Sequence, residues 1–369
     1  PKKNIKPNPT KKIPAMKKLY FSALIMFSVT FSSMAQKEQI KTAQAELAKG
    51  NTQASLTILN EIEYLITNAK DDDKSDYYFA KAKTYTALAD KKNEAPKNMA
   101  LAVACYNELI LNEVDSGNLK YAVQARESVR ELKNVLDKSA IDDNNAQRFG
   151  DAANKMFYLY EMDKKDTLNL YNAASNYFNA KQYDLALKNF ELLKNMKFSG
   201  NGMEYYATNK STNQEELFVS AMNRDLGVKQ GSHIKPRNVK AKSKKSDILK
   251  RIAYIYTVKG DVASAESNYK AIIAINPNDV ETYMDLAYVK LDKKKEIADK
   301  IALLGTSAED MKKYDELKIK KDEEVKVAVG YLEKALTLEP SNKDISKLLL
   351  NLYRSLDMTD KYEALKAKG

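Results

Sequence analysis

Residues Ser246–Asp279 read SDILKRIAYIYTVKGDVASAESNYKAIIAINPND, and this stretch decides the fold. Its first half sets Leu249, Ile252, Ala253 and Tyr256 at i, i+3, i+4 and i+7, which is one apolar face of an α-helix. Gly260 then supplies a turn. The second half sets Ala265, Tyr269 and Ile272 on one face, and Pro277 stops it because proline has no N–H to continue the ladder. Two helices joined by a short turn follow.

The same spacing recurs elsewhere. The copy at 167–200 contains LNLYNAASNYFNAKQYDLALKNFELLKN, with Leu170, Ala173, Ala174 and Tyr177 in its first helix and Ala186, Phe190 and Leu193 in its second. Tyr283, Leu286 and Ala287 open a further copy, which Ala328, Leu332, Ala335 and Pro340 complete. This pattern closely resembles the tetratricopeptide repeat over 167–200 and 246–340. Weaker copies lie in 36–115, carried by Ile40, Ala43, Leu47, Gly50 and Ala54, then by Tyr85, Ala102, Tyr106 and Leu109. Residues 116–165 read as irregular paired helices on Leu132, Val135, Leu136, Met156, Phe157, Leu159 and Tyr160. The resemblance implies an all-α fold, a tetratricopeptide-type superhelix or solenoid of helical hairpins. Its expected segments are a leader (1–35), irregular N-terminal repeats (36–165), one repeat (166–197), an insertion (198–245), further repeats (246–340) and capping helices (341–369).

Two departures break the period. Between Phe198 and Lys245, Met203–Thr208 and Glu216–Ser220 read as two strands around turn chemistry at Asn209–Asn213, a β-hairpin. A short helix over Met222–Lys229 follows, and then a basic loop from Gly231. Exported tetratricopeptide proteins of the Bacteroidetes look similar, with an aromatic hairpin and a charged return between repeats. The candidate partner-binding residues are Tyr205, Tyr206, Phe218, His233, Lys235, Arg237, Lys242, Lys244 and Lys245, because aromatic rings beside cations suit an acidic partner, a glycan or a phosphate. The competing reading has the hairpin packed over the array and its lysines merely hydrated. The second departure is length: helices over about Val280–Leu303 and Ala308–Leu338 predict a projecting hairpin, with Ser307 and Asp310 placed as a capping box. It is either a docking arm or a tolerated elongation.

The chain has 369 residues and a formal charge of +11. Seven of its 61 basic residues lie in 1–35, which hold no acid, so 54 cations face 50 carboxylates in the remainder. No concentrated basic surface remains to release counterions, so nucleic-acid binding is not expected. Met16-Lys17-Lys18, the apolar run Leu19–Val29 and Ser33-Met34-Ala35 follow the order of a secretory signal peptide. Cleavage before Gln36 is favoured over an uncleaved anchor because Ser and Thr fill the second half of the apolar run. Residues 1–15 precede a possible initiator Met16 and read as an over-extended gene model. Cys105, the single cysteine, is expected to be a buried core thiol, and an exported chain without disulfides suits a Gram-negative periplasm or cell surface.

Catalytic constellations are missing from the sequence. His233 is the one histidine and has no nucleophile with a matching spacing; one His and one Cys do not build a closed zinc site. Asp71-Asp72-Asp73 reads as an inter-repeat loop without the ligand alternation of a calcium loop. Neither enzyme activity, cofactor nor metal is expected. The reading is an exported protein–protein interaction scaffold of a cell-envelope assembly, with other proteins or extended peptides as partners and no stable membrane insertion after cleavage. The alternative is a glycan- or anionic-polymer-binding module that uses 198–245.

Overall fold

The computed structural model describes residues 36–218 and 221–367. The expected signal peptide and the end of the second predicted strand (Val219, Ser220) lie outside the described residues. The chain forms two compact units, which divide at Asn169/Leu170. The architecture is all-α, built of tetratricopeptide-type helical hairpins with one small inserted sheet.

The first unit contains α1 (36–48), α2 (Thr52–Glu61), α3 (Glu63–Ile66), α4 (Asp71–Asp90), α5 (Ala95–Ser116), α6 (Ala122–Asn145) and α7 (Phe149–Met162). Ile40, Ala43, Leu59, Ile62, Tyr77 and Ala80 form one core cluster here. Three expectations change in this unit. Ala54 is exposed, and Ser55 takes the crossing position, fully buried and sharing a 2.9 Å hydrogen bond with the Thr84 hydroxyl. Val135 faces solvent, while Leu132 and Leu136 are buried. Asp71–Asp73 is no loop but the first turn of α4, where carboxylates face the positive end of the helix dipole. Cys105 is largely buried, and burial pushes its thiol up to about 12.

The second unit starts in α8 (Thr167–Asn179) and continues through α9 (Tyr183–Asn195), the insertion, α11 (Lys245–Val258), α12 (Val262–Ile275), α13 (Val280–Ala302), α14 (Ala308–Leu338), α15 (Lys343–Ser355) and α16 (Thr359–Lys366). The residues that define the repeat are its core. Leu170, Ala174, Ala186, Phe190, Leu193, Ile252, Ala253, Ala265 and Ile272 are fully buried. Truncating Phe190 to Ala would cost about 3–5 kcal/mol by the usual cavity and transfer terms. Ala328, Leu332, Ala335, Ile345 and Leu349 pack the last hairpins together. The long hairpin has the predicted bounds: α14 runs 31 residues, roughly 46 Å at 1.5 Å per residue. Ser307 Oγ accepts the Asp310 N–H at 3.1 Å. The box closes differently from the usual one, because the Asp310 carboxylate accepts the Ser307 hydroxyl at 2.7 Å instead of reaching a backbone amide.

The insertion is larger than a hairpin. Strands β1 (Met203–Asn209), β2 (Glu215–Phe218) and β3 (His233–Lys240) form an antiparallel sheet in the order β2-β1-β3, with α10 (Ala221–Lys229) between β2 and β3. The segment expected as a basic loop is thus mostly an edge strand. Its pairing with β1 shifts between Tyr206 and Thr208, opposite Lys235-Pro236, and Lys235 adopts φ 52. A bulge at an edge accommodates a proline that has no N–H to donate. The insertion also closes on itself: Lys244 N–H donates to Ser199 O at 2.8 Å, and Ala241 N–H to Gly202 O at 2.9 Å. Entry and exit therefore coincide, and α9 packs on α11 as though the repeats were consecutive.

Candidate interaction surfaces of the second unit

The nine residues singled out in sequence fall into four places. On one face of the sheet, Tyr205 pairs across to Phe218 and Asn238, and α10 covers this face. Arg224 of α10 is buried; it lies 5.6 Å from the Tyr205 ring centroid and donates to the Arg237 carbonyl at 3.2 Å. His233 closes the sheet on this side. Its Nε2 is 2.9 Å from Glu216 Oε2, its Nδ1 is 2.8 Å from Ser232 Oγ, and its ring meets Phe218 edge-on at 4.9 Å. The His233 hydrogen bond, with one from Asn209, holds the Glu216 carboxyl below its ordinary value.

The opposite face carries Tyr206, Leu217 and Arg237 side by side in register. Arg237 stacks 4.7 Å from the Tyr206 centroid and forms a two-pronged ion pair with Glu215, whose carboxyl it holds below the ordinary value. Tyr206 O–H donates to Glu204 at 2.9 Å. The aromatic and cationic groups of the sheet are thus largely engaged with one another. Lys235 and Lys242 stay exposed at its margin.

Lys244 and Lys245 leave the sheet and join the repeats. Lys244 Nζ sits 4.8 Å from the Tyr171 centroid, and its stem lies against Gly200, where an added Cβ would meet Lys244 Cδ at 2.8 Å. Tyr171 O–H donates to Asp247 at 2.8 Å; burial, and then that carboxylate, push the phenol up to about 12. Asp247 also receives Arg251 Nε at 3.0 Å, and Arg251 lies over Phe178 at 5.0 Å. Phe178, Tyr183 and Tyr254 then meet edge-to-face, with centroids 5.4–6.2 Å apart. Tyr254 remains 45% exposed, so this ledge is aromatic surface and not core.

Sequence reasoning missed the ledge. Phe178 and Tyr254 are not among the repeat-defining positions of α8 and α11, and only the stacking of two repeats brings them together. A useful signal was present: an aromatic residue one position after Tyr177 and one after Ala253, off the core stripe in both helices.

Among the described residues, no group of three or more His, Cys, Asp or Glu side chains is placed to hold a metal ion, and no helix is long and apolar enough to cross a membrane.

No family model matches the chain, and no curated protein matches it. Among solved structures, a TPR repeats protein from Bacteroides fragilis is 16% identical, with 74% of this chain and 98% of that one covered and a TM-score of 0.32. A tetratricopeptide repeat protein from Parabacteroides merdae is 14% identical, with coverage of 86% and 98% and a TM-score of 0.26. Yeast Tom70 is 13% identical, with coverage of 86% and 54% and a TM-score of 0.32. Function has to be read from this chain's own side chains.

Proposed function

We propose that the protein is a protein–protein interaction scaffold, exported to the cell envelope, whose second unit holds an extended segment of a partner. The observation that carries this is the ledge of Phe178, Tyr183 and Tyr254 with Arg251. Rigid rings and an oriented guanidinium, contributed by consecutive repeats and left partly open, are the composition of binding hot spots. The sheet supports this reading over polymer binding, because its Arg237, His233 and Tyr206 are already paired with Glu215, Glu216 and Glu204. A glycan or polyanion would have to displace those carboxylates. Export rests on residues 16–35, which lie outside the described residues.

Crosslinking and affinity purification from native envelopes tests the reading. Specific partners retained by the unaltered chain and lost with Tyr254→Ala support it. Retention of glycan or polyanion, with no protein partner, overturns it in favour of polymer binding. Mass spectrometry of the envelope-associated chain tests export, with a mature N-terminus at Gln36 as the expected result.

A further inference from the structure

At the junction of α9, α11 and α12 lies a pocket of about 190 Å³ that the scaffold reading does not use. Its floor is apolar: Ile248 and Leu249 from the first turn of α11, Phe198 from the chain after α9, and Ile275 at the end of α12. Ile248 and Leu249 are buried, whereas Ile275 is 52% exposed, an apolar wall open to solvent. Three lysines stand around it, Lys194, Lys197 and Lys245. Lys194 is engaged with Glu191 at 3.4 Å and Asn268 at 3.0 Å. Among the described residues, no carboxylate pairs with Lys197 or Lys245. The N-terminus of α11 has no side-chain cap and adds its own partial positive charge.

The volume and the charge together restrict the occupant. Apolar cavities of about 150 Å³ take up benzene, so this pocket accommodates one leucine- or phenylalanine-sized side chain. A simple anion such as phosphate would sit against Ile248, Leu249 and Ile275 and gain nothing from them. A purely apolar ligand would fill the floor but gain nothing from the two ammonium groups at the rim. Phe198 belongs both to the pocket and, tilted 34° against Tyr171 at 6.0 Å, to the aromatic track that continues through Asp247 and Arg251 to the ledge. A chain seated in the pocket thus has a surface along which to continue.

We infer that this pocket is an anchor site for a partner polypeptide segment in which one large apolar side chain is flanked by acidic residues. The apolar side chain fills the floor, and the flanking carboxylates pair with Lys197 and Lys245. The assignment rests on the scaffold reading and specifies the chemistry of the segment.

Fluorescence anisotropy with an end-blocked, dye-labelled Gly-Glu-Glu-Leu-Glu-Gly peptide tests it on the full chain. Saturable binding is expected, weakened at least tenfold when the peptide leucine becomes alanine. Ile275→Arg, and separately Lys197→Glu with Lys245→Glu, should each weaken binding at least tenfold; all three positions are exposed, and thermal melts check that the variants fold. Equal binding of the alanine peptide overturns the anchor in favour of charge attraction alone. Unchanged binding to Ile275→Arg, or no binding to the unaltered chain, also overturns it. Envelope capture separates the two readings. The same partners captured by Ile275→Arg remove the anchor and leave the scaffold standing, whereas no protein captured by the unaltered chain removes the scaffold.

Discussion

The carboxylate of Glu113, fully buried at the end of α5, accepts the Tyr121 N–H at 2.8 and 3.0 Å, one contact to each oxygen. It also accepts the Ala122 N–H at 2.8 Å. Tyr121 is the N-cap of α6, and its own side chain caps nothing, so α6 takes its cap from the preceding helix. Glu113→Ala would leave both donors, that of Ala122 buried, without an acceptor and is expected to cost about 2–4 kcal/mol. Glu113→Gln keeps one acceptor oxygen and should cost about half as much. Urea unfolding gives the magnitude, and faster amide exchange at Tyr121 and Ala122 localises it. An alanine variant as stable as the unaltered chain would show that water replaces this cap.

Gly227 of α10 is the second test. A Cβ there would lie 2.9 Å from His233 Nδ1. Gly→Ala inside a helix ordinarily gains about 1 kcal/mol. Here the gain should be lost, because Glu216 and Ser232 hold the imidazole and it has no free direction in which to retreat. Gly227→Ala is therefore expected to destabilise the insertion by about 1 kcal/mol. Adding Gly227→Ala to His233→Ala, where the obstacle is absent, should instead stabilise. A double-mutant cycle read by amide exchange across β1 and β3 isolates the coupling. Additive effects would show that His233 moves aside freely.

How much of this was legible in sequence depends on where each residue's partner lies. The repeats at 167–200 and 246–340 were readable because Ala186, Phe190, Ala265 and Tyr269 meet neighbours at fixed short spacings. The long hairpin was readable from Pro277, Gly305, Ser307 and Pro340, which act locally on the backbone. The third strand was not, because Pro236 and three cations in His233–Lys240 argue against a strand until a bulged edge position is known. Ala54 gave way to Ser55 because a polar pair, Ser55 with Thr84, fills a crossing normally held by alanine. The insertion's cations read as free for the same reason. Arg237 and His233 find Glu215 and Glu216 through strand register, which a linear sequence does not display.

Lys290 ties the base of the long hairpin to the preceding helix. Its Nζ lies 2.7 Å from Glu266 of α12 and 3.1 Å from Glu324 of α14, and Lys293 reaches Glu324 from the other side at 2.5 Å. Burial pushes the Glu266 carboxyl up, but Lys270 and Lys290 outweigh this and hold it below the ordinary value. Such a depressed carboxyl stabilises the fold above its unfolded value of 4.5, and the contribution is lost as pH falls through its lower folded value. Lys290→Met removes the shared cation and should cost about 2–3 kcal/mol at pH 7. Adding Glu266→Gln and Glu324→Gln should recover most of it, since the penalty is for two poorly solvated carboxylates left with one lysine each and not for a lost contact. If the triple variant is no better than Lys290→Met alone, packing of the lysine stem is the larger effect.

Asp285 of α13 carries the opposite sign. Burial raises its carboxyl to about 6 from 3.8; Lys250 opposes the rise, while Glu281 and Asp279 add to it. Lys250 is itself paired with Glu281 at 2.5 Å, and Asp279 is occupied in capping α13. Between pH 3.8 and about 6 the folded chain holds a proton at Asp285 that the unfolded chain has released. Stability therefore falls as pH rises through that window, and the full penalty stands above it. The shift sets a ceiling of about 3 kcal/mol, which solvent screening of a partly exposed group reduces to about 1. Asp285→Asn should match the unaltered chain at pH 4 and exceed it by about 1 kcal/mol at pH 7.5. The comparison has to be the difference between the two proteins at each pH, because carboxylates such as Glu266 impose the reverse slope on both. Equal stability of the two at pH 7.5 would show that the Asp285 carboxylate is solvated or paired, and that it imposes no pH dependence of its own.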